Sequence, residues 1–320
     1  MISHRAIPLE SIQSARRRIA ATIVRTPLVP LNLEEAPAEI YLKLENLQPV
    51  GSFKMRGAGN ALMSLAPLQL EAGVWTASAG NMAQGLAWYA RRLGVPCTVV
   101  VPDDAPEAKL AAIRRLDASI IQVSFADYQG IEREHAYAGM EGVLIHPFGD
   151  EAVMAGNGTI GLEILEDLPE VDAIVIPFGG GGLSCGIASA LRALKPEVKL
   201  FAAEVSSAAP LAPSLAAGRP VEVTFTPSFV SGIGAPYVFP EMWSLARQLL
   251  DGSLVVEVAQ VAEAIRVMTE RNHIVAEGAG AVALAAALAG KAGRGKIVCI
   301  VSGGNIDPEK LIQIMRGGVP

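Results

Sequence analysis

Lys54 follows a Gly51-Ser52-Phe53 turn, a setting that would place it in the first turn of a helix. The positive end of the helix dipole and desolvation both favour the neutral amine, the form that attacks an aldehyde. Ser52 is the expected N-cap of that helix. Alone, this local pattern fits a solvated surface lysine equally well. Gly179, Gly180, Gly181, Gly182 and Leu183 lie between an apolar run ending at Pro177 and a helical stretch starting near Ser184. Consecutive glycines let backbone N–H groups converge on one centre, and the helix dipole adds to them, so the expected ligand is a phosphate. The run fits no dinucleotide fingerprint, because the third glycine would fall on Ser184 or Cys185, and it lacks the Gly-Lys-Ser/Thr ending of a P-loop. Ser78, Ala79, Gly80 and Asn81 make a small-residue helix start suited to a carboxylate, where Asn81 could hydrogen-bond a ring oxygen. Ser302, Gly303, Gly304 and Asn305 close another apolar run, where a hydroxyl could face a heteroaromatic nitrogen. Each of these last two, standing alone, reads as an ordinary turn.

The elements that must position these residues alternate between short β-branched runs and helical stretches, which argues for parallel α/β sheets. Strands are expected at 74–78, 97–101, 119–123 and 143–148, with helices at 82–93, 108–116 and 128–138 between them. A second series of strands is expected at 173–177, 199–204, 254–256 and 297–301. Residues 258–271 put Val258, Val261, Ala262, Ile265 and Met268 on one helical face. Residues 40–44 form a strand that edges or enters the second sheet, and prolines mark an irregular stretch from about 208 to 240. The pattern predicts two open, twisted, parallel-sheet domains with a cleft between them. The larger comprises 1–64 and 149–320, and the smaller 65–148. Ligands of such sheets gather at the carboxyl ends of the strands, where all four motifs fall.

Composition excludes several classes. The 320 residues carry a net charge of −6 without a basic tract, which disfavours a nucleic-acid partner. Apolar runs are too short to span a membrane. The four histidines have no metal-ligand spacing. Cys97, Cys185 and Cys299 form no CxxC pair and no signal peptide opens the chain, which fits a reducing cytoplasm.

Together and in this order, the motifs resemble the fold type II pyridoxal-phosphate enzymes, and most nearly the threonine/serine dehydratases and serine racemases. The resemblance runs from about Arg25-Thr26-Pro27-Leu28 to Asn305, and the stretch from Gly51 to Lys54 with Arg56-Gly57-Ala58 is its most specific part. It implies pyridoxal 5'-phosphate bound to Lys54 as a Schiff base, with that lysine later moving the α-proton. It implies that Phe53 packs on the cofactor ring, Asn81 binds its hydroxyl, and Ser302 faces its nitrogen. The same resemblance gives Gly179, Gly180, Gly181, Gly182 and Leu183 the phosphate. Ser78, Ala79, Gly80 and Asn81 receive the substrate carboxylate, and Glu277 and Gly232 lie near the ring. The implied reaction takes a small β-hydroxy amino acid such as threonine or serine to a 2-oxo acid and ammonia. Racemisation or β-replacement is the alternative. A homodimer is implied as well.

The chain departs from the family at several positions. Met82 stands where His is more common, and Ala79 where serine racemases carry a second serine, which speaks against racemisation. Metal-binding members have an acidic residue six positions after a strand-end Glu. Here Pro210 holds that place after Glu204, so no divalent-metal site is expected. Ser231-Gly232 replaces a common Asp-Gly pair. With the chain ending at Pro320, no C-terminal regulatory domain and no feedback control are expected.

Overall fold

The computed structural model describes residues 5–320. Ten strands occur among them: β1 (Leu28–Pro30), β2 (Glu39–Leu44), β3 (Val74–Ala77), β4 (Cys97–Pro102), β5 (Ser119–Val123), β6 (Val143–Leu144), β7 (Ala173–Pro177), β8 (Lys199–Val205), β9 (Gly252–Val256) and β10 (Lys296–Val301). They form a six-stranded sheet in the order β1-β2-β10-β7-β8-β9 and a four-stranded sheet in the order β5-β4-β3-β6. Every pairing is parallel except that of β1 with β2.

The larger sheet is covered on both faces, which is why its central strands are apolar throughout instead of alternating. Ile174 and Ile176 of β7 join the core on one face with Leu200, Ala202, Val298 and Ile300. Ala173 and Val175 join the opposite core with Ala203, Val205, Ile297 and Cys299. The fully apolar helix Gly278–Leu288 packs on that second face. The helix Glu151–Asp167, capped by the Asp150 carboxylate, packs on both Lys54–Met63 and Gly182–Leu194. It thus braces the two elements that begin with Lys54 and with the end of the glycine loop.

Several expected elements have different limits. The strand at 40–44 enters the sheet between β10 and an antiparallel edge strand, β1, too short and proline-bounded to stand out in sequence. The strand expected over 143–148 stops at Leu144. Its last ladder bond runs from the Ile145 N–H to the Trp75 carbonyl. Pro147 cannot donate to a ladder, and the chain peels away so that Pro147 and Phe148 reach the cleft. The helix expected over 128–138 spans Phe125–Glu134: Ser124 accepts the Asp127 N–H at its start, and His135 at φ 54° ends it. The helix at 258–271 occurs as Val258–Asn272, with Val261, Ala262, Ile265 and Met268 buried.

Candidate active site

The carboxyl ends of β3, β4, β7 and β10 open onto one cavity of about 640 Å³ between the sheets. Phe53, Lys54, Ser78, Ala79, Gly80, Asn81, Gly232, Glu277 and Ser302 line it, together with Gly179, Gly180, Gly181, Gly182 and Leu183. All fourteen residues singled out in the sequence therefore converge on a single site.

Backbone pairing draws the separate motifs together. Ser52 bridges Gly303, the Phe53 N–H donates to the Ser302 carbonyl at 2.9 Å, and the Gly304 N–H donates to the Gly51 carbonyl at 2.9 Å. The Glu277 N–H donates to the Gly303 carbonyl at 3.0 Å. The lysine motif, the serine motif and the acidic residue are thus one hydrogen-bonded unit, although up to about 250 residues separate them in the chain. This pairing also corrects the capping expectation. The helix Lys54–Met63 has Phe53 at its N-cap position and no side-chain cap, while the buried Ser52 hydroxyl has no hydrogen-bond partner. Ser52 is held by its bridge to Gly303 and so does not cap the helix.

The Lys54 amine donates to the Pro147 carbonyl at 2.6 Å and lies 5.2 Å from the Phe53 ring centroid. Burial lowers its pKa to about 8, with no carboxylate beside it to hold the charge. Arg56, on the same helix, has the opposite environment. It is fully buried and bonded to Glu45 at 2.7 and 2.8 Å and to Glu163 at 2.6 and 2.9 Å. Lys43 completes this network through Glu163 at 2.6 Å and the Thr26 carbonyl at 2.7 Å. The paired charges anchor the helix whose first residue is Lys54 to β2 and to Glu151–Asp167.

At the phosphate end, Gly181 has φ 89°, and the helix Gly182–Leu194 begins at the loop. Its first N–H groups have no intrahelical partner and face whatever sits before them. Phe148 closes the back of the loop, where a Cβ on Gly180 would meet its ring at 2.2 Å and one on Gly182 its backbone at 2.7 Å. On the opposite wall the Ser78 hydroxyl accepts the Gly80 N–H at 3.2 Å, and the helix Asn81–Leu93 begins. Asn81 donates to Glu277 at 2.7 Å. Burial pushes the Glu277 carboxyl up to about 7, while the Asn81 bond and the charge of Lys109 hold it down. Gly232 lies beside it, since a Cβ there would be 2.8 Å from Ala279 and 3.7 Å from the Glu277 carboxylate.

These features fit a phosphorylated aldehyde with a heteroaromatic ring: an amine that loses its proton near neutrality, a cradle of free N–H groups, an aromatic face and a hydroxyl at Ser302. Sequence reasoning missed part of the wall. Lys109, Phe125, Tyr128, Phe148, Phe225 and Tyr237 also line the cavity. Their local sequence carries no signal; they meet only because the sheets face each other. Met82 is buried in the small-sheet core and brings no imidazole. Glu204 accepts the Leu211 and Ala212 N–H groups at 2.8 and 2.9 Å and the Ser253 hydroxyl at 2.6 Å. No cluster of three or more candidate metal ligands occurs among the described residues.

Comparison with known proteins points to the same cofactor. A family model described as pyridoxal-phosphate dependent enzyme matches residues 19–303. An L-threonine ammonia-lyase of Thermotoga maritima is 40% identical over 319 residues, covering 98% of this chain and 79% of that protein. The catabolic L-threonine dehydratase TdcB of Escherichia coli is 36% identical over 315 residues, covering 96% of each. The structure of a maize serine racemase superposes with a TM-score of 0.88 at 34% identity, covering 98% of both chains.

Proposed function

The chain belongs to the pyridoxal-phosphate dependent enzymes, and from that premise we propose that it is an ammonia-lyase converting a β-hydroxy amino acid to a 2-oxo acid and ammonia. The substrate class is L-threonine, L-serine or a related 3-hydroxy amino acid, as the names of its relatives suggest. The observation that carries this reading is the Lys54 amine, buried without a counter-charge in the same cavity as the glycine loop.

Bound there, the cofactor supplies an electron sink that acidifies the substrate α-proton and lets a β-substituent leave. The residues of this chain do the rest. N–H groups of Gly179, Gly180, Gly181, Gly182 and Leu183 hold the phosphate against the helix dipole. Phe53 packs on the ring, with Gly232 and Glu277 near it, and Asn81 donates to its oxygen. Ser302 presents a hydroxyl to the ring nitrogen. A hydroxyl is too weak an acid to keep that nitrogen protonated, which suits elimination over transamination. Ser78, Ala79, Gly80 and Asn81 hold the substrate carboxylate at a helix start. With its pKa lowered to about 8, Lys54 is neutral in roughly one molecule in ten at pH 7, far more than an ordinary lysine, and can take the α-proton.

Residues 65–148 form the smaller domain that closes over substrate, and 1–64 with 149–320 the cofactor-binding domain. Two copies associate as a homodimer in the cytoplasm. The three buried, unpaired cysteines support a reducing compartment. Among the described residues no helix is long and apolar enough to cross a membrane.

The decisive assay is a panel of β-hydroxy amino acids scored for 2-oxo acid release. No release from any of them would defeat the reading. Similarity to a serine racemase favours racemisation as the second reading. It is separated by chiral analysis of residual serine: Ala79 offers a methyl group that can neither accept nor deliver a proton, so no D-serine is expected.

A further inference from the structure

Asn305 closes the Ser302-Gly303-Gly304 turn and has no part in the chemistry described so far. Its amide Nδ2 donates to the Val50 carbonyl at 2.8 Å and to Asn81 Oδ1 at 2.8 Å. Asn81 Nδ2 in turn donates to Glu277 Oε1 at 2.7 Å. The direction of this chain follows from donor and acceptor counting. A backbone carbonyl only accepts, so the NH₂ end of Asn305 must face Val50. The second hydrogen of that NH₂ meets Asn81 Oδ1 at 2.8 Å, which turns the oxygen of Asn81 toward Asn305. The NH₂ of Asn81 is left pointing at Glu277 and the cavity, with one hydrogen still to give. Two glycines leave room for the relay. A Cβ on Gly51 would lie 2.8 Å from Asn305 Oδ1, and one on Gly303 would lie 2.4 Å from Glu277 Oε1 and 3.3 Å from Asn81 Nδ2.

We infer that Asn305 is a positioning residue that fixes which end of the Asn81 amide faces the cofactor, making Asn81 a donor to the ring oxygen. It also ties the helix Asn81–Leu93, which packs on the four-stranded sheet, to the lysine loop at Val50. The inference rests on the assignment of Asn81 to that oxygen.

The test is titration of cofactor-free protein with pyridoxal phosphate, followed by absorbance, for Asn305→Asp, Asn305→Ala, Asn305→Ser and Asn81→Ala. Asn305→Asp replaces the donor with an acceptor, so Asn81 turns its NH₂ toward the new carboxylate and shows its oxygen to the ring oxygen. The expected loss of cofactor affinity is about tenfold or more. Asn305→Ala should lose only about two- to threefold, because Glu277 still guides the amide, and Asn305→Ser, which keeps one donor, should lose less still. A space-filling role predicts the reverse order, since Asp is isosteric with Asn and Ala is not. The loss in Asn305→Asp should persist in roughly 0.5 M salt, where a long-range charge effect on the phosphate would be screened. Melting temperatures of the cofactor-free variants should stay within about 3 °C of the parent, which shows that the affinities compare folded proteins. Equal losses for Asn305→Asp and Asn305→Ala, or collapse of the difference in salt, would overturn the inference while leaving Asn81 in place. An unchanged affinity in Asn81→Ala would instead remove the assignment beneath it.

Discussion

Lys54, half-buried in the cavity wall, and Arg56, fully buried, begin the same helix in opposite electrostatic surroundings. Around Arg56 every charge has a partner. Its guanidinium meets Glu45 and Glu163, and Lys43 shares Glu163. Burial pushes the Glu45 carboxyl up, but the charge and hydrogen bonds of Arg56 outweigh it and hold the group below the ordinary carboxylate range. Burial likewise pulls Arg56 down, and the two carboxylates more than restore it. In the cavity burial goes unanswered at Lys54, which falls to about 8, and is only partly opposed at Glu277, where the Asn81 bond and the charge of Lys109 leave the carboxyl at about 7. The contrast shows how one helix turn serves two ends. Paired charges fix geometry, and unpaired ones are left with protons that move near neutral pH.

The largest effect expected from breaking this contrast is on turnover. Lys54→Ala should lose about 10³-fold or more in activity while the cofactor-free protein keeps its fold. Borohydride reduction and peptide mapping should place the cofactor on Lys54; a label on another lysine would refute its role.

Next comes stability. Arg56→Met leaves two carboxylates facing Lys43 alone and should cost about 3–5 kcal/mol in urea unfolding. Lys54→Met removes a buried amine with no counter-charge and should be neutral or stabilising. Equal costs for the two variants would erase the distinction between them.

The pH dependence of stability sharpens the comparison further. Between about 4.5 and 7 the folded chain keeps a proton on Glu277 that the unfolded chain has lost, so stability of the cofactor-free protein should fall as pH rises across that interval. Between about 8 and 10.5 the folded chain has lost a proton from Lys54 that the unfolded chain keeps, so stability should rise with pH there. Each limb should amount to roughly 1–3 kcal/mol. Subtracting the Glu277→Gln profile from that of the parent should isolate the acid limb, and subtracting Lys54→Met the alkaline one. A flat difference would show that burial does not shift that group.

The smallest effect concerns Glu204, a third kind of buried carboxylate. Burial pushes its pKa up, and the Ser253 hydroxyl with two backbone N–H groups opposes the shift. With protein donors already around it, exhaustive chelation should change turnover by less than about twofold. A large loss restored by Mg²⁺ or Ca²⁺ would show that the group binds a cation.

What the sequence determined by itself was carried by local order. The apolar runs at β7 and β10 and the helical face of Val258–Asn272 were legible because burial on a sheet or helix face imposes its own period. The glycine loop was legible because consecutive glycines before a helix constrain the backbone whatever surrounds them. Lys54 stood out only in company with the other motifs, since nothing in its own neighbours distinguishes a buried amine from a solvated one. Tertiary structure alone decided the rest. It placed the Pro147 carbonyl on the Lys54 amine by ending β6 early, engaged Ser52 with Gly303 in place of a cap, and brought Lys109 and Phe225 into one wall. The charge states followed the same division. Arg56 and Lys54 look alike in the chain, and what separates them is the presence of Glu45 and Glu163 around one and of a carbonyl and an aromatic ring, with no carboxylate, beside the other. Desolvation and pairing are properties of packed neighbours distant in sequence, and no local pattern encodes them.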